Sequence, residues 1–423
     1  MAERFDVLVQ GISKSDALQL LFAKTDSVER PSDRYFAATR LGLCDCDETL
    51  DALIRATRDL TVEELFDRIT RRKAVEALGR RKDVRAIPAL VEVLKCTDTE
   101  AVINSLSALG RIGWSPVEAD EQHLLNLLDG EVTQARAVIQ LFTRLRIKSA
   151  QSKEKIGGLI DHESLLISGA ARACMASLYG EFDLMKPLVA CLTDLVAGKR
   201  RSAVIDIGDS GDQALLPDLI RAPVSMSLRA KSFFQIVDAN NSASDQQHQV
   251  LLKQLLRDNP LLLDIKSEWQ CGDDPSEIEQ NLSHRDEARQ YGAAASLMRI
   301  ERDECLKLIE SMQERLWSDY VTHYYLTCIV GLRKIQEKDE LIRSALAETT
   351  PQYTKSRIAA AWAALIYNFS TRWICSRSCP TLLRGLHCAG HVSNRWPICV
   401  SSKPLLPLHR FWSALSVGSG CSE

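Results

Sequence analysis

Residues 83–113 decide the fold, and they read DVRAIPALVEVL, then KCTD, then TEAVINSLSALGRIG. Apolar residues at 90, 91 and 94, and again at 102, 106 and 109, recur at helical spacing, which predicts two amphipathic helices joined by a polar turn. Pro88 suits the first turn of the first helix, where its missing N–H costs nothing, and Asp98 or Thr99 can cap the second. Such a pair cannot bury its apolar stripe alone, so it must stack on copies of itself.

Glycines mark the expected ends of these units. Gly110 or Gly113 can end the second helix, because glycine adopts the left-handed conformation common at that position. Gly42, Gly79 and Gly110 follow one another at roughly 30 to 40 residues, which is a period typical of repeat proteins. We therefore expect these three glycines to end successive helices.

Copies of the pattern continue along most of the chain. They predict helices at residues 35–42, 48–56, 69–83, 134–145, 166–180, 187–192, 200–209, 217–220, 222–232, 250–263, 285–300, 319–332 and 355–367. We interpret residues 1–370 as one all-α solenoid of stacked helical hairpins.

Composition narrows the class of protein. The chain of 423 residues is 45% hydrophobic with a net charge of −3, so no overall basic field favours nucleic acid, and a DNA-binding repeat protein is disfavoured. The polar start lacks a secretory signal, and no apolar run is long enough to predict a membrane span. Thirteen scattered cysteines then indicate reduced thiols and a cytoplasmic protein.

The segment 371–423 differs from the rest. It holds five of the thirteen cysteines and three of the seven tryptophans, and no helical period runs through it. Cysteines and histidines there match no standard zinc spacing, so we predict no metal site; they are Cys375, Cys379, His387, Cys388 and His391. We interpret this tail as poorly ordered or out of frame.

Four strings are more specific than the hairpin pattern. They are SDRYFAA at 32–38, TRRKAVEALGRRKD at 70–83, DIGDSGD at 206–212 and APVSMSLRA at 222–230. In this order they resemble the E/F-type phycobilin lyases of cyanobacteria, which have HEAT-like repeats, and in particular the long single-chain branch that serves phycoerythrin. The resemblance covers roughly residues 1–370.

The resemblance implies a defined chemistry. Such enzymes attach a linear tetrapyrrole, here phycoerythrobilin, through a thioether to a cysteine of a phycoerythrin α or β subunit. Some also isomerise the bound pigment to phycourobilin. The bilin is then a substrate, no permanent cofactor is expected, and a second lyase subunit is a possible partner. The alternative is a non-catalytic HEAT-repeat scaffold or chaperone for the same subunits, which binds the subunit without handling bilin.

The richest set of polar and aromatic residues begins at Trp317. Asp319 and His323 lie four residues apart, as do Tyr320 and Tyr324, so each pair shares a helix face. We predict catalysis by Asp319, Tyr320 and His323 as a proton-transfer set, with Trp317 and Tyr324 contacting the bilin. The alternative is that Asp319 caps the helix, His323 is solvated and the tyrosines pack between repeats.

Two further groups are candidates for binding the bilin. Asp206 and Asp209 flank Gly208 at an expected helix end and can accept from pyrrole N–H groups. The alternative, which we favour, is a turn in which Asp209 hydrogen-bonds the loop towards Gly211.

Four arginines can hold the propionates of a bilin, because arginine binds carboxylates through two parallel hydrogen bonds. They are Arg71, Arg72, Arg200 and Arg201. The alternative is that each pairs with an acidic residue of an adjacent repeat.

Overall fold

The computed structural model describes residues 11–61, 63–243, 245–366, 398–399 and 404–405. These residues contain 21 α-helices, and the chain divides after residue 181 into two compact units. The all-α prediction is confirmed. None of the described helices is both long and apolar enough to cross a bilayer. The prediction for the tail at 371–423 lies outside the described residues, apart from two short paired strands.

The first unit contains ten helices. They are α1 Lys14–Leu21, α2 Asp33–Leu41, α3 Asp47–Asp59, α4 Leu65–Arg81, α5 Ile87–Val93, α6 Thr99–Ile112, α7 Glu118–Leu127, α8 Val132–Leu145, α9 Ala150–Gly157 and α10 Leu165–Tyr179. Helices α2, α4, α6, α8 and α10 each pack against the next in this series, and α3, α5, α7 and α9 pack against their hairpin partners. The second helices of the hairpins in this unit therefore form one continuous row.

The second unit contains eleven helices. They are α11 Lys186–Cys191, α12 Ala197–Ser210, α13 Leu216–Arg221, α14 Met226–Ala239, α15 Gln246–Arg257, α16 Pro275–Leu282, α17 Glu287–Arg299, α18 Arg302–Leu316, α19 Tyr320–Arg333, α20 Asp339–Ala347 and α21 Thr354–Ile366. The predicted helix at 250–263 is too long. It ends at Arg257 because Asp258 is left-handed, with φ +45°, and Pro260 follows.

Short elements complete the description. The 3₁₀ turns are Thr25–Ser27, Val84–Ala86, Phe182–Met185, Gln213–Leu215, Pro260–Leu262, Ser267–Trp269, Gln336–Lys338 and Pro351–Tyr353. Strands β1 Ile398–Cys399 and β2 Pro404–Leu405 pair antiparallel.

The glycines have two different roles. Gly42 caps α2, and Gly113 ends α6 with φ +86°, as predicted. Gly79 lies inside α4, and Gly110 lies inside α6, so the prediction that they end helices is wrong. A Cβ atom on Gly79 would lie only 2.7 Å from the Cβ atom of Ala108 on α6. The short side chain is required because the two helices nearly touch there.

Candidate functional site

Asp319 fixes the start of α19. Its Oδ2 atom accepts a hydrogen bond from the backbone N–H of Thr322 at 2.9 Å and another from the Thr322 hydroxyl at 2.7 Å. This is N-cap geometry, which typically stabilises a helix by about 1 kcal/mol. The observed contacts match the capping alternative for Asp319, and a catalytic role stays a prediction.

A cavity of about 370 Å³ opens beside this helix start. Its walls are formed by Glu314, Arg315, Trp317, Ser318, His323, Glu348 and Tyr353. The centroid of the His323 ring lies 3.8 Å from that of Trp317, with the planes inclined by 34°, and 4.7 Å from that of Tyr353. The fold therefore brings together two of the predicted residues, Trp317 and His323, in one aromatic wall.

His323 is buried, with 3% of its surface exposed, so the alternative of a solvated histidine is wrong. Burial lowers the pKa of its imidazole to about 4, although the charge of Glu348 opposes this. The ring is therefore neutral near pH 7. Its Nδ1 atom is buried without a hydrogen-bond partner in the described part of the chain. Because such an unpaired atom costs about 1–3 kcal/mol, a polar group of a ligand would gain by contacting Nδ1.

The far wall of the cavity comes from the segment before α21. Glu348 accepts hydrogen bonds from the hydroxyl and the backbone N–H of Thr350, at 2.6 and 2.8 Å, which lower the pKa of this carboxyl group and keep it ionised. The Tyr353 hydroxyl donates to the carbonyl of Ser318 at 3.0 Å, tying this segment to the loop before α19. Sequence reasoning missed both residues, and the only signal was an aromatic residue in a proline turn.

The tyrosines of α19 lie in different environments. Tyr320 is 49% exposed, whereas Tyr324 is 1% exposed and its hydroxyl donates to Asp258. The expected pairing of Tyr320 and Tyr324 on one ligand-facing surface is therefore not observed. Of the proposed proton-transfer set, the phenol of Tyr320 is at the surface, the carboxylate of Asp319 is in a cap, and the imidazole of His323 lines the cavity.

Asp258 is the centre of a buried network. Arg229 donates to Asp258 and, at 2.9 Å, to the Tyr291 hydroxyl, while the hydroxyls of Tyr291, at 2.8 Å, and Tyr324 both donate to Asp258. Burial raises the pKa of both phenols, and the charge of Asp258 adds to the effect. The ammonium of Lys355 lies 4.8 Å from the centre of the Tyr324 ring, a cation–π contact. The ion pair of Arg229 with Asp258 compensates these two buried charges in the second unit.

The first pair of candidate arginines is engaged within the first unit. Arg72 binds the carboxylate of Asp98 with its Nε atom, at 2.8 and 3.0 Å, and Arg71 donates to the carbonyl of Thr57 at 2.8 Å. Asp98 precedes α6 but forms this ion pair instead of a side-chain cap. Arg72 therefore pairs with an acidic residue of an adjacent repeat, as the stated alternative predicted.

The second pair is engaged within the second unit. Arg200 is fully buried and donates to Asp286 and, at 2.7 Å, to the carbonyl of Asp194. Arg201 donates to Glu287 at 3.0 Å through Nε. Arg200 is fully buried, so binding of a bilin propionate there would require its surroundings to open, whereas the side chain of Arg201 is 42% exposed and uses only Nε and Nη2 towards Glu287. That role stays a prediction.

Asp209 is the penultimate residue of α12 and Asp206 lies one turn earlier, because the left-handed residue that ends this helix is Gly211, with φ +73°. A Cβ atom on Gly208 would lie 2.7 Å from the side chain of Ser232, so Gly208 permits close helix packing. Asp209 accepts from the side-chain amide of Gln235 at 3.1 Å. The turn expected towards Gly211 is present after Ser210, and the roles of Asp209 in that loop and of either aspartate in binding pyrrole N–H groups stay predictions.

No cluster of three or more potential metal ligands occurs within the described ranges. The eight cysteines among those residues are free thiols. The question of a zinc site in the tail concerns residues outside the described part of the chain.

Comparison with known proteins identifies the family. Residues 60–142 match the family model for HEAT repeats. Bilin biosynthesis protein PecE of Nostoc sp. (strain PCC 7120 / SAG 25.82 / UTEX 2576) is 31% identical over 236 residues, which cover 52% of this chain and 87% of the relative. The chain belongs to the E/F-type phycobilin lyase family. This membership assigns phycobilin attachment as the general activity, without specifying the bilin or its carrier.

Two other relatives align with this protein over most of its length and most of their own. The uncharacterized phycocyanin operon protein Y of Pseudanabaena tenuis (strain PCC 7409) is 29% identical over 356 residues, covering 83% of this chain and 84% of the relative. Bilin biosynthesis protein CpeY of Synechococcus sp. (strain WH8020) is 27% identical over 343 residues, covering 78% and 80%. The similarity to both relatives thus extends well beyond the residues that match the HEAT-repeat model.

Proposed function

We propose that this phycobilin lyase attaches phycoerythrobilin through a thioether to a cysteine of a phycoerythrin subunit. Family membership supports bilin attachment, and the four sequence strings, which resemble the phycoerythrin branch, favour this bilin and carrier. The structural observation that carries the proposal is His323, which lines the cavity, stacks on Trp317 and has a buried Nδ1 atom without a hydrogen-bond partner in the described part of the chain.

The cavity suits one end of an open-chain tetrapyrrole. Its volume of about 370 Å³ is at the lower end of small-molecule sites, which span roughly 300–1,000 Å³, so it accommodates part of the pigment. Trp317 is half-buried and lines the cavity, so its ring provides a stacking surface for a pyrrole ring. A neutral imidazole can accept from a ring N–H or donate to a ring carbonyl, depending on its tautomer. Stacking plus one buried hydrogen bond would orient that end of the bilin.

The attachment step needs no oxidant. The carrier thiol adds across the ethylidene double bond, so that a carbon–sulfur bond forms, the carbon–carbon double bond becomes single, and the thiol proton is balanced by one added to the ring carbon. We assign His323 to holding the ring, and Asp319 and Tyr320 to the proton transfers, because Asp319 uses only Oδ2 in its cap and Tyr320 is exposed to an arriving subunit.

Isomerisation to phycourobilin extends the same proposal. It removes a proton at one carbon and returns one at another, so a base and an acid must both reach the ring. The ionised Glu348 and the phenol of Tyr353 both line the cavity. We propose them as additional candidates for this step.

Co-expression tests the proposed function. The full chain is produced with the enzymes that make phycoerythrobilin and with a phycoerythrin α or β subunit, and the subunit is digested to recover chromopeptides. A thioether-bound bilin supports the proposal, and absorbance at shorter wavelength adds isomerisation because the conjugated system is then shorter. Subunit binding without any attached bilin would instead support the scaffold alternative. A His323→Gln variant should lower attachment, whereas His123→Gln, which changes a histidine in the first unit, should not.

A further inference from the structure

Three arginines form a row in the first unit. Arg80, Arg111 and Arg144 occupy the last turns of α4, α6 and α8, which pack side by side. The side chain of Arg144 crosses Gly110, since a Cβ atom there would lie 3.4 Å from Arg144 Nη1. The absence of a side chain at Gly110 therefore lets Arg144 lie against the helix that carries Arg111.

The row has too few acidic partners. Arg80 donates through Nη1 to Glu76 at 3.1 Å, but its Nε and Nη2 atoms are buried without partners in the described ranges, and only 9% of its side chain is exposed. Glu76 also accepts from Lys73 at 2.8 Å. One carboxylate thus serves two cations, and Arg80 retains unused donors.

Arg111 and Arg144 are both exposed, and neither guanidinium forms an ion pair or hydrogen bond within the part of the chain that the structure describes. Loss of hydration lowers the pKa of Arg111, and the charges of Arg144 and Arg80 lower it further, although the charge of Glu76 opposes this. The negative end of each helix dipole attracts a cation in the last turn but leaves the outward donors unsatisfied. Carboxylates are the groups that the planar guanidinium binds best.

We propose that the row of Arg80, Arg111 and Arg144 is a docking surface for an acidic segment of the carrier subunit. The inference rests on the proposed function, which supplies the carrier. Adjacent packed helices lie roughly 8–10 Å apart, so the row extends over about 16–20 Å. That length fits a protein surface with several carboxylates better than the two propionates of one bilin. The earlier candidates Arg72, Arg200 and Arg201 already bind acidic side chains of this chain.

The test measures binding of the apo phycoerythrin subunit to the full chain at two salt concentrations. The double variant Arg111→Gln with Arg144→Gln is compared with wild type and with the control Arg58→Gln plus Arg85→Gln. The control removes the same charge from exposed arginines that are paired with Glu92 and Asp83. We expect at least tenfold weaker subunit binding and a smaller salt dependence in the double variant only, with bilin affinity unchanged.

The outcomes separate this inference from the proposed function. Unchanged subunit affinity in the double variant overturns the docking surface, even if bilin attachment is normal. If the double variant binds bilin more weakly but binds the subunit normally, the docking surface is overturned, and the row instead contacts the bilin propionates. If the wild-type chain binds neither bilin nor subunit, both proposals fall. Circular dichroism verifies that the variants are folded, and the single Arg111→Gln variant repeats the measurement if the double variant is not.

Discussion

The rings of Trp317 and His323 are stacked, with centroids 3.8 Å apart and planes inclined by 34°. This contact joins the loop before α19 to its first turn. It also buries one face of a neutral imidazole against the largest aromatic side chain in the cavity wall. The behaviour of the cavity therefore depends on both rings together.

Replacing Trp317 by alanine should weaken bilin binding by about tenfold, because base–aromatic stacking of comparable rings contributes roughly 1–3 kcal/mol. Trp317→Phe keeps a flat ring and should retain most of the affinity. An absorption titration with phycoerythrobilin measures both. Equal affinity of the alanine variant and wild type would exclude Trp317 from the binding site.

Acid should destabilise the protein through His323. Its pKa is about 4 in the folded chain and about 6.5 when unfolded, so the unfolded state binds more protons between these values. The free energy of unfolding therefore falls as the pH drops from 6.5 to 4, by up to about 3 kcal/mol for this group. Urea unfolding at pH 7.0, 5.5 and 4.5 measures the slope. The pH dependence of the unfolding free energy should be weaker in His323→Gln and unchanged in His123→Gln. Identical slopes in wild type and both variants would refute the role of His323 in acid destabilisation.

Changing Asp258 to asparagine should destabilise the second unit by about 3–5 kcal/mol, because it leaves the Arg229 charge buried and uncompensated. Asparagine tolerates the left-handed backbone of this residue, so the loss reports the charge. Adding Arg229→Met should recover part of the stability, since both charges are then absent. Thermal unfolding provides the comparison, with Asp218→Asn as control, because Asp218 is only partly buried and pairs with Arg221 at 3.5 Å. If the double variant is no more stable than D258N, the ion pair is not the cause.

Gly79→Ala should lower stability by about 1–3 kcal/mol, because the new methyl group would meet the backbone and side chain of Ala108 at 2.8 and 2.7 Å. Gly198→Ala is the matched control. No atom lies within 4 Å of its would-be Cβ, and alanine is the better helix former, so stability should stay equal or rise. Denaturant midpoints measure both, and a neutral Gly79→Ala would mean that α4 and α6 can separate without penalty.

Local sequence patterns predicted most of the described helices, but they missed five of them, namely α7, α9, α16, α18 and α20. The spacing of the apolar residues predicted α5 and α6, and Pro88 occupies the first turn as expected. Glycine was ambiguous, because Gly113 ends a helix whereas Gly79 lies within one at a helix contact. The residue type is glycine in both cases, and only packing against the next repeat distinguishes a helix-ending glycine from one at a helix contact.

The candidate site was predictable only where its residues are close in sequence. Trp317 and His323 are one helical turn and a loop apart, and they were found together. Asp258 and Tyr324 are 66 positions apart, so no local pattern indicated their hydrogen bond. Tyr353 reaches the cavity through a contact with Ser318, 35 positions away. Tertiary packing determined these contacts.

The small-residue contact between successive helices of this row has an evolutionary consequence. Gly42 against Ala77 and Gly79 against Ala108 use the same local fit, so the contacts of α2 with α4 and of α4 with α6 repeat one packing geometry. A gene duplication that inserts one more hairpin would inherit a compatible neighbour on both sides. Lineages can therefore lengthen or shorten such a protein in whole modules while the chemistry elsewhere is left intact.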